Sequence, residues 1–228
     1  MDRLILPQLA YSSSKLKDLS EVILVSGGRE PNADWFNKVK VNRPIYCVDH
    51  GIDFCKKIDI IPELLIGDLD SAASDSVQWA LDNSIKIEPY PIDKDFTDLQ
   101  LALNHIDDKT FAIITGTFGG RLDHLFSTLL TCANTQLKIC LADDHEIVLF
   151  VSSGESISIE INTKTLALSL LQMTELCRGV TIDGVHWTLQ SADLKQSVPS
   201  AISNRVESNT VNLSIKEGKL AVYLCFDE

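Results

Sequence analysis

Ile66-Gly67-Asp68-Leu69-Asp70-Ser71 is the first of three segments between Leu65 and His124 where an apolar run stops and an amphipathic run starts. The others are Asp93-Lys94-Asp95-Phe96-Thr97-Asp98 and Gly116-Thr117-Phe118-Gly119-Gly120-Arg121-Leu122-Asp123-His124. Short apolar runs that end in Gly and Asp read as buried parallel strands. Upstream, Val22–Val25 ends at Ser26-Gly27-Gly28, Pro44–Val48 at Asp49-His50-Gly51, and Leu64–Ile66 at Gly67-Asp68. Downstream, Phe111–Thr115 and Leu137–Leu141 repeat the pattern. Ile85–Tyr90 alternates and carries Pro89, which cannot donate to a ladder and marks a strand near an edge. Helices are expected over 34–40, 74–81, 97–106 (capped by Thr97) and 122–132. Strands alternating with helices give an α/β fold with a mainly parallel sheet.

After Asp144 the pattern changes. Short strands are expected at 147–151, 156–161, 166–171, 179–182, 185–189, 211–215 and 219–224, separated by Ser, Gly and Asn turns. Lys216-Glu217-Gly218-Lys219 reads as a hairpin-like turn. The chain is therefore expected to hold two domains, an α/β nucleotide-binding domain over 1–145 and a C-terminal β-sandwich over 146–228. Residues 1–20 carry little signal.

The bulk properties exclude several classes. The net charge of −12 leaves no basic stripe for gripping nucleic acid. No apolar run approaches a membrane span, and the N-terminus lacks a signal-peptide pattern. The six cysteines form no CxxC pair and lie mostly in apolar segments, which points to free buried thiols and a cytoplasmic protein.

The chemistry lies in the loops. Asp68 and Asp70, at i and i+2, leave the same face if strand geometry persists, and then share a metal; as a polar turn they are two solvated acids. Asp93, Asp95 and Asp98 crowd Lys94, which is placed to steer a phosphate, while Thr97 or Asp95 serves as a helix cap. Gly116-x-x-Gly119-Gly120-Arg121 opens a helix as phosphate loops do, but it is neither a Walker A loop nor a dinucleotide fingerprint. Arg121 suits bidentate phosphate binding, Asp123 suits orienting it or holding metal, and His124 is either a base or a packing residue. Gly27, Gly28 and Asp49 belong to the same rim, beyond the carboxyl ends of the strands. Carboxylates without bases suit Mg²⁺, and glycine turns suit phosphates. The pattern is that of a Mg²⁺-dependent phosphoryl or pyrophosphoryl transferase. Trp187 is either core or the wall of a flat organic substrate's pocket.

The three motifs, with Gly179-Val180-Thr181, the 184–189 segment and Ser203-Asn204, resemble the thiamine pyrophosphokinase family. That resemblance implies an α/β nucleotide domain followed by a β-sandwich, a homodimer with substrate sites at the subunit interface, and pyrophosphoryl transfer from ATP to thiamine. It assigns Mg²⁺ to Asp68, Asp70 and Asp98, and catalysis to these with Asp123. It assigns ATP to Gly27, Gly28, Asp49, Lys94, Gly119, Gly120 and Arg121, and thiamine to Trp187, Ser203 and Asn204. His50 departs from the family, which usually has glycine there. Two other readings stand beside it, a pyrophosphokinase acting on a hydroxymethyl pterin and a non-catalytic nucleotide- or thiamine-binding regulator.

Overall fold

The computed structural model describes residues 3–226, and its strands form two sheets. The strands before residue 146 are β1 (Arg3–Ile5), β2 (Leu9–Ser13), β3 (Ser20–Val25), β4 (Ile45–Val48), β5 (Leu64–Gly67), β6 (Lys86–Pro89), β7 (Thr110–Thr115) and β8 (Lys138–Ala142). Those that follow are β9 (Glu146–Ser152), β10 (Ser156–Ile161), β11 (Thr165–Gln172), β12 (Leu176–Asp183), β13 (Leu189–Lys195), β14 (Thr210–Ser214) and β15 (Lys219–Phe226). The helices are α1 (Ala33–Val39), α2 (Gly51–Lys57), α3 (Ser74–Asp82), α4 (Asp98–Leu103) and α5 (Leu122–Asn134).

One sheet has nine strands in the order β11-β15-β9-β8-β7-β3-β4-β5-β6, and the run from β8 to β6 is parallel throughout. β3 lies in its interior with all four residues Val22–Val25 buried, because both faces are covered. Its two faces belong to different cores. Ile23 and Val25 join Phe36, Ile52, Cys47 and Ile113, while Val22 and Leu24 join Leu99, Ala102, Ala112 and Ile114. β6 stands at the edge, where Pro89 costs no ladder bond.

The second sheet is antiparallel, in the order β1-β2-β10-β14-β12-β13. Its inward residues, such as Ile157, Ile159, Val180 and Leu213, share one core with Leu149, Val222 and Leu224 of the nine-stranded sheet. The sheets therefore do not divide the chain at residue 145. β9, β15 and β11 extend the parallel sheet, and the opening residues supply β1 and β2 to the other.

Several local expectations change. Lys216–Lys219 is not a hairpin, since β14 and β15 lie in different sheets and the turn carries the chain across the core. Residues 185–188 form a loop that carries a Val185–Val206 bridge, and the strand expected there begins only at Leu189, because Gly184 at φ +78° turns the chain out of β12. Residues 51–57, left unassigned, form α2. The helix after Thr97 ends at Leu103 rather than Ile106, although its start is fixed by a capping box between Thr97 and Gln100.

β2 is clamped by Glu155, which is buried in the turn between β9 and β10. Ser13 Oγ donates to its Oε1 at 2.7 Å, the Ser152 N–H donates to Oε2 at 3.1 Å, and Lys15 Nζ lies 3.1 Å from Oε2. Burial alone would raise the Glu155 pKa, but these partners hold it below the ordinary glutamate value. Its contribution to stability is therefore complete above the usual pKa of ~4.3 and is lost as the pH falls through the lower folded value. Glu155→Gln is expected to cost about 3 kcal/mol at neutral pH, because it weakens the charge-assisted bonds that Ser13, Ser152 and Lys15 make to a buried carboxylate. Thermal melting should show a fall of roughly 6–12 °C, and the gap between variant and wild type should narrow below about pH 4.

Candidate active site

β3 leads on one side into β4, β5 and β6, and pairs on the other with β7, so the strand order reverses between β3 and β7. Open α/β sheets bind ligands at such a switch point. Here the two loops are joined by backbone. Ser26 N–H donates to Thr115 O at 2.9 Å, Gly28 N–H to Gly116 O at 2.6 Å, and Arg29 N–H to Phe118 O at 2.7 Å. A Cβ on Gly28 would lie 2.5 Å from Gly116 O, and one on Gly116, at φ +71°, would lie 2.1 Å from Ser26 O. Side chains at these two positions would force the loops apart.

Arg29 locks this junction, a role that nothing in the sequence signals beyond its place after two glycines. Its Nη2 lies 2.6 Å from Asp143 Oδ2 and 2.5 Å from Glu146 Oε2, and its guanidinium stands 5.8 Å from the Phe118 ring centre. Burial pushes the Asp143 carboxyl upward despite Arg29. Arg29 is thus committed to structure.

The acidic rim lies beside it. Ligand oxygens of Asp49, Asp68 and Asp70 all fall within 4.8 Å of one another. Asp68 and Asp70 converge by a turn rather than by strand pleat. β5 ends at Gly67, Leu69 adopts φ +62°, and Asp70 N–H donates to Asp68 Oδ1 at 3.3 Å. Gly67, at φ +143°, leaves room for Asp49 and Asp98, whose Cβ and Oδ1 would lie 3.1 and 3.2 Å from an added Cβ. Lys94 Nζ is ion-paired with Asp68 and lies 3.2 Å from Asp98 Oδ1. The rim therefore holds Asp49, Asp68, Asp70 and Asp98 beside one ammonium, and Asp49, which the resemblance assigns to ATP, stands among the acids that it assigns to Mg²⁺.

The charges are not balanced. Burial, then the neighbouring Asp98 and Asp68, pushes Asp49 upward against the hydrogen bond from Ser71. Lys94 holds Asp68 below the carboxylate range, while Asp70 is pushed up by sharing a hydrogen bond with Asp68 and by its charge. Asp49 Oδ1 is buried without a hydrogen-bond partner, and Asp98 Oδ1, also buried, has only the Lys94 ammonium at 3.2 Å. An orphaned carboxylate oxygen beside further carboxylates makes a donor set that fits a hard divalent cation.

The other predicted residues are more dispersed. Arg121 and Asp123 pair with each other at 2.6 Å on the surface, next to exposed Gly119 and Gly120 at the start of α5. His124 is exposed, and its N–H donates to Asp123. The His50 ring lies over Gly27, with Nδ1 3.0 Å from Ser71 O and 3.1 Å from Asp53 Oδ2. It thus fills the space that a glycine would leave there.

Trp187 is not core, since it is 57% exposed. His186 meets its ring edge-on at 4.6 Å, and the Arg205 guanidinium sits 5.5 Å from the ring centre. Asn204 is buried, and its side chain serves the backbone. Its Oδ1 accepts from Trp187 N–H at 3.0 Å and Arg205 N–H at 2.9 Å, and its Nδ2 donates to Trp187 O at 2.8 Å. Ser203, at φ +54°, is exposed, and its N–H donates to Ser169 Oγ on β11 at 3.0 Å. Asn204 positions this loop, and Trp187 and Ser203 are what it presents.

A parallel sheet whose switch point is closed by glycine backbone and walled by unneutralised carboxylates is the architecture of a nucleotide-dependent transferase. Comparison with known proteins narrows the class. A family profile described as "Thiamin pyrophosphokinase, catalytic domain" matches residues 37–141, and one described as "Thiamin pyrophosphokinase, vitamin B1 binding domain" matches 156–220. The chain belongs to the thiamine pyrophosphokinase family. It is 28% identical over 178 residues to thiamine pyrophosphokinase of Bacillus subtilis, covering 76% of this chain and 83% of that protein. The crystal structure of the Bacillus subtilis enzyme shares the fold, with a TM-score of 0.80 at 23% identity over 92% of this chain and all of that one. The yeast thiamin pyrophosphokinase structure gives 0.75 at 16% identity, over 92% and 87% of the two chains.

Asn204→Ala should remove three hydrogen bonds from the Trp187 loop and cost about 2–3 kcal/mol. Chemical denaturation would read that loss. Acrylamide quenching, compared with an Asn204→Ala, Trp187→Phe double variant, should show Trp187 released from its seat.

Proposed function

We propose that the chain transfers the pyrophosphoryl group of ATP to the hydroxyl of thiamine, giving thiamine diphosphate and AMP, at the rim formed by β3, β4, β5 and β7. The observation that carries this reading is the convergence of Asp49, Asp68 and Asp70, with the buried Asp49 Oδ1 left unpartnered, beside the glycine-bridged switch point. Family membership supplies the substrates.

Mg²⁺ is assigned to Asp68, Asp70 and Asp98, with Asp49 added on the strength of its orphaned oxygen. Bound there, Mg²⁺ neutralises charge on the phosphoryl oxygens. The chain's own part is to position. Gly27 and Gly28 hold the floor of the site, and Gly119 and Gly120 lead into the N-terminus of a 13-residue helix that favours anions. Arg121, exposed and oriented by Asp123, is available to the phosphates. Trp187 and Ser203 face thiamine, with Asn204 setting their loop.

The division of labour falls at residue 145/146, with nucleotide binding assigned to the α/β part before it and thiamine binding to the β-rich part after it, although both sheets draw strands from the two parts. A homodimer completes the site. In its support, Leu122 and Phe126 of α5 are 79% and 61% exposed, and Trp187 also faces outward. Apolar surface of this kind marks an interface. The six free thiols, five of them buried, suit a reducing compartment such as the cytoplasm. No helix among the described residues is long and apolar enough to cross a membrane. The match to a vitamin B1 binding domain disfavours a pterin acceptor, and the intact carboxylates disfavour a non-catalytic regulator.

The test is AMP release from Mg²⁺-ATP with and without thiamine. Thiamine-dependent AMP and thiamine diphosphate are expected, with Asp70→Asn slower by about 10²-fold or more. ADP as the product would sink pyrophosphoryl transfer, and wild-type turnover in Asp70→Asn would remove Asp70 from the site.

A further inference from the structure

Lys94 is in an unusual position for a residue that only steers phosphates. Its side chain is 13% exposed and that of Asp68 8%, so the ion pair is largely shielded from water. Its ammonium also lies 3.2 Å from Asp98 Oδ1. Thus the lysine reaches two of the four rim carboxylates, while Asp49 and Asp70 have no cation of their own among the described residues. The ammonium and a divalent cation cannot both hold Asp68 cheaply, because two positive charges on one carboxylate repel strongly at contact range in a half-buried site.

We infer that Lys94 is an internal counter-ion that weakens the acidic rim's affinity for a free divalent cation, and that it leaves Asp68 when nucleotide phosphates arrive to receive it. The inference rests on the Mg²⁺ reading given above. The lysine's flexible four-carbon stem permits the exchange, and its ammonium needs a new anion once Asp68 is taken. The arriving phosphates supply one. Cation and nucleotide then bind cooperatively, each raising the affinity of the other by the same factor. An empty rim is thereby kept from filling with loose metal, and the metal enters together with the nucleotide.

The experiment follows binding rather than turnover. Mn²⁺ alone is titrated into the full-length chain, with free Mn²⁺ read by electron paramagnetic resonance, and the titration is repeated with the α,β-methylene analogue of ATP. Lys94→Met keeps the stem and removes the charge. It should bind free Mn²⁺ at least about tenfold more tightly than wild type, and the tightening caused by the analogue should shrink. Lys94→Gln serves as a second variant, and thermal melting checks that each is folded. Unchanged or weaker Mn²⁺ binding in both variants would overturn the inference, leaving Lys94 as a structural or phosphate-binding residue. Asp70→Asn separates the two readings. If it abolishes Mn²⁺ binding while the Lys94 variants bind no tighter, the metal site stands and the counter-ion role falls. If it leaves Mn²⁺ binding intact in every background, both fall.

Discussion

Everything at the rim depends on how closely two strand ends approach across the switch point. Gly28 and Gly116 meet backbone to backbone, with no room for a Cβ on either. Three N–H···O bonds between the β3 and β7 loops satisfy groups that would otherwise be orphaned where the ladder stops. The contact fixes where both loops emerge. Arg29 then ties the first loop to Asp143 and Glu146, the stretch where the parallel strands give way to the antiparallel ones. Geometry at the nucleotide side is thus anchored in the turn between β8 and β9.

The electrostatics follow from that geometry. A protein of net charge −12 concentrates four carboxylates on one edge of its sheet and leaves them a single lysine. In folding terms this is costly, because mutual repulsion and burial both disfavour the charged forms. The cost is sustained by a well-packed sheet whose interior strand β3 is buried on both faces. Function here draws on stability generated elsewhere.

Much of the parallel sheet was legible because its physics is local. An apolar run such as Val22–Val25 followed by Gly-Gly states strand and loop within a few residues, and Thr97 with Gln100 states a helix start. Pairing over long distances was not legible. Nothing in residues 3–13 announces that they pair with β10, since that depends on Glu155 and a register set far along the chain. The hairpin reading of 216–219 failed for the same reason. A tight turn looks alike whether its strands pair or part, and here they part into different sheets. Asp68 and Asp70 were recognised as a pair, but their meeting through a left-handed Leu69 and the company of Asp49 needed the fold. Trp187 could be placed only by seeing that Gly184 turns its segment out of the sheet.

The interleaving of the sheets has a consequence for how this chain must be made. β2 is synthesised well before its partner β10, and the nine-stranded sheet is completed only by β15. Pairings this distant in sequence close slowly, and unpaired strands are exposed to association with other chains meanwhile. Neither half can settle into its final form alone. The two sheets reach their native state together once β15 has been made, so in a growing chain β2, with its buried Leu9, Ala10 and Tyr11, waits for its second neighbour until β10 follows.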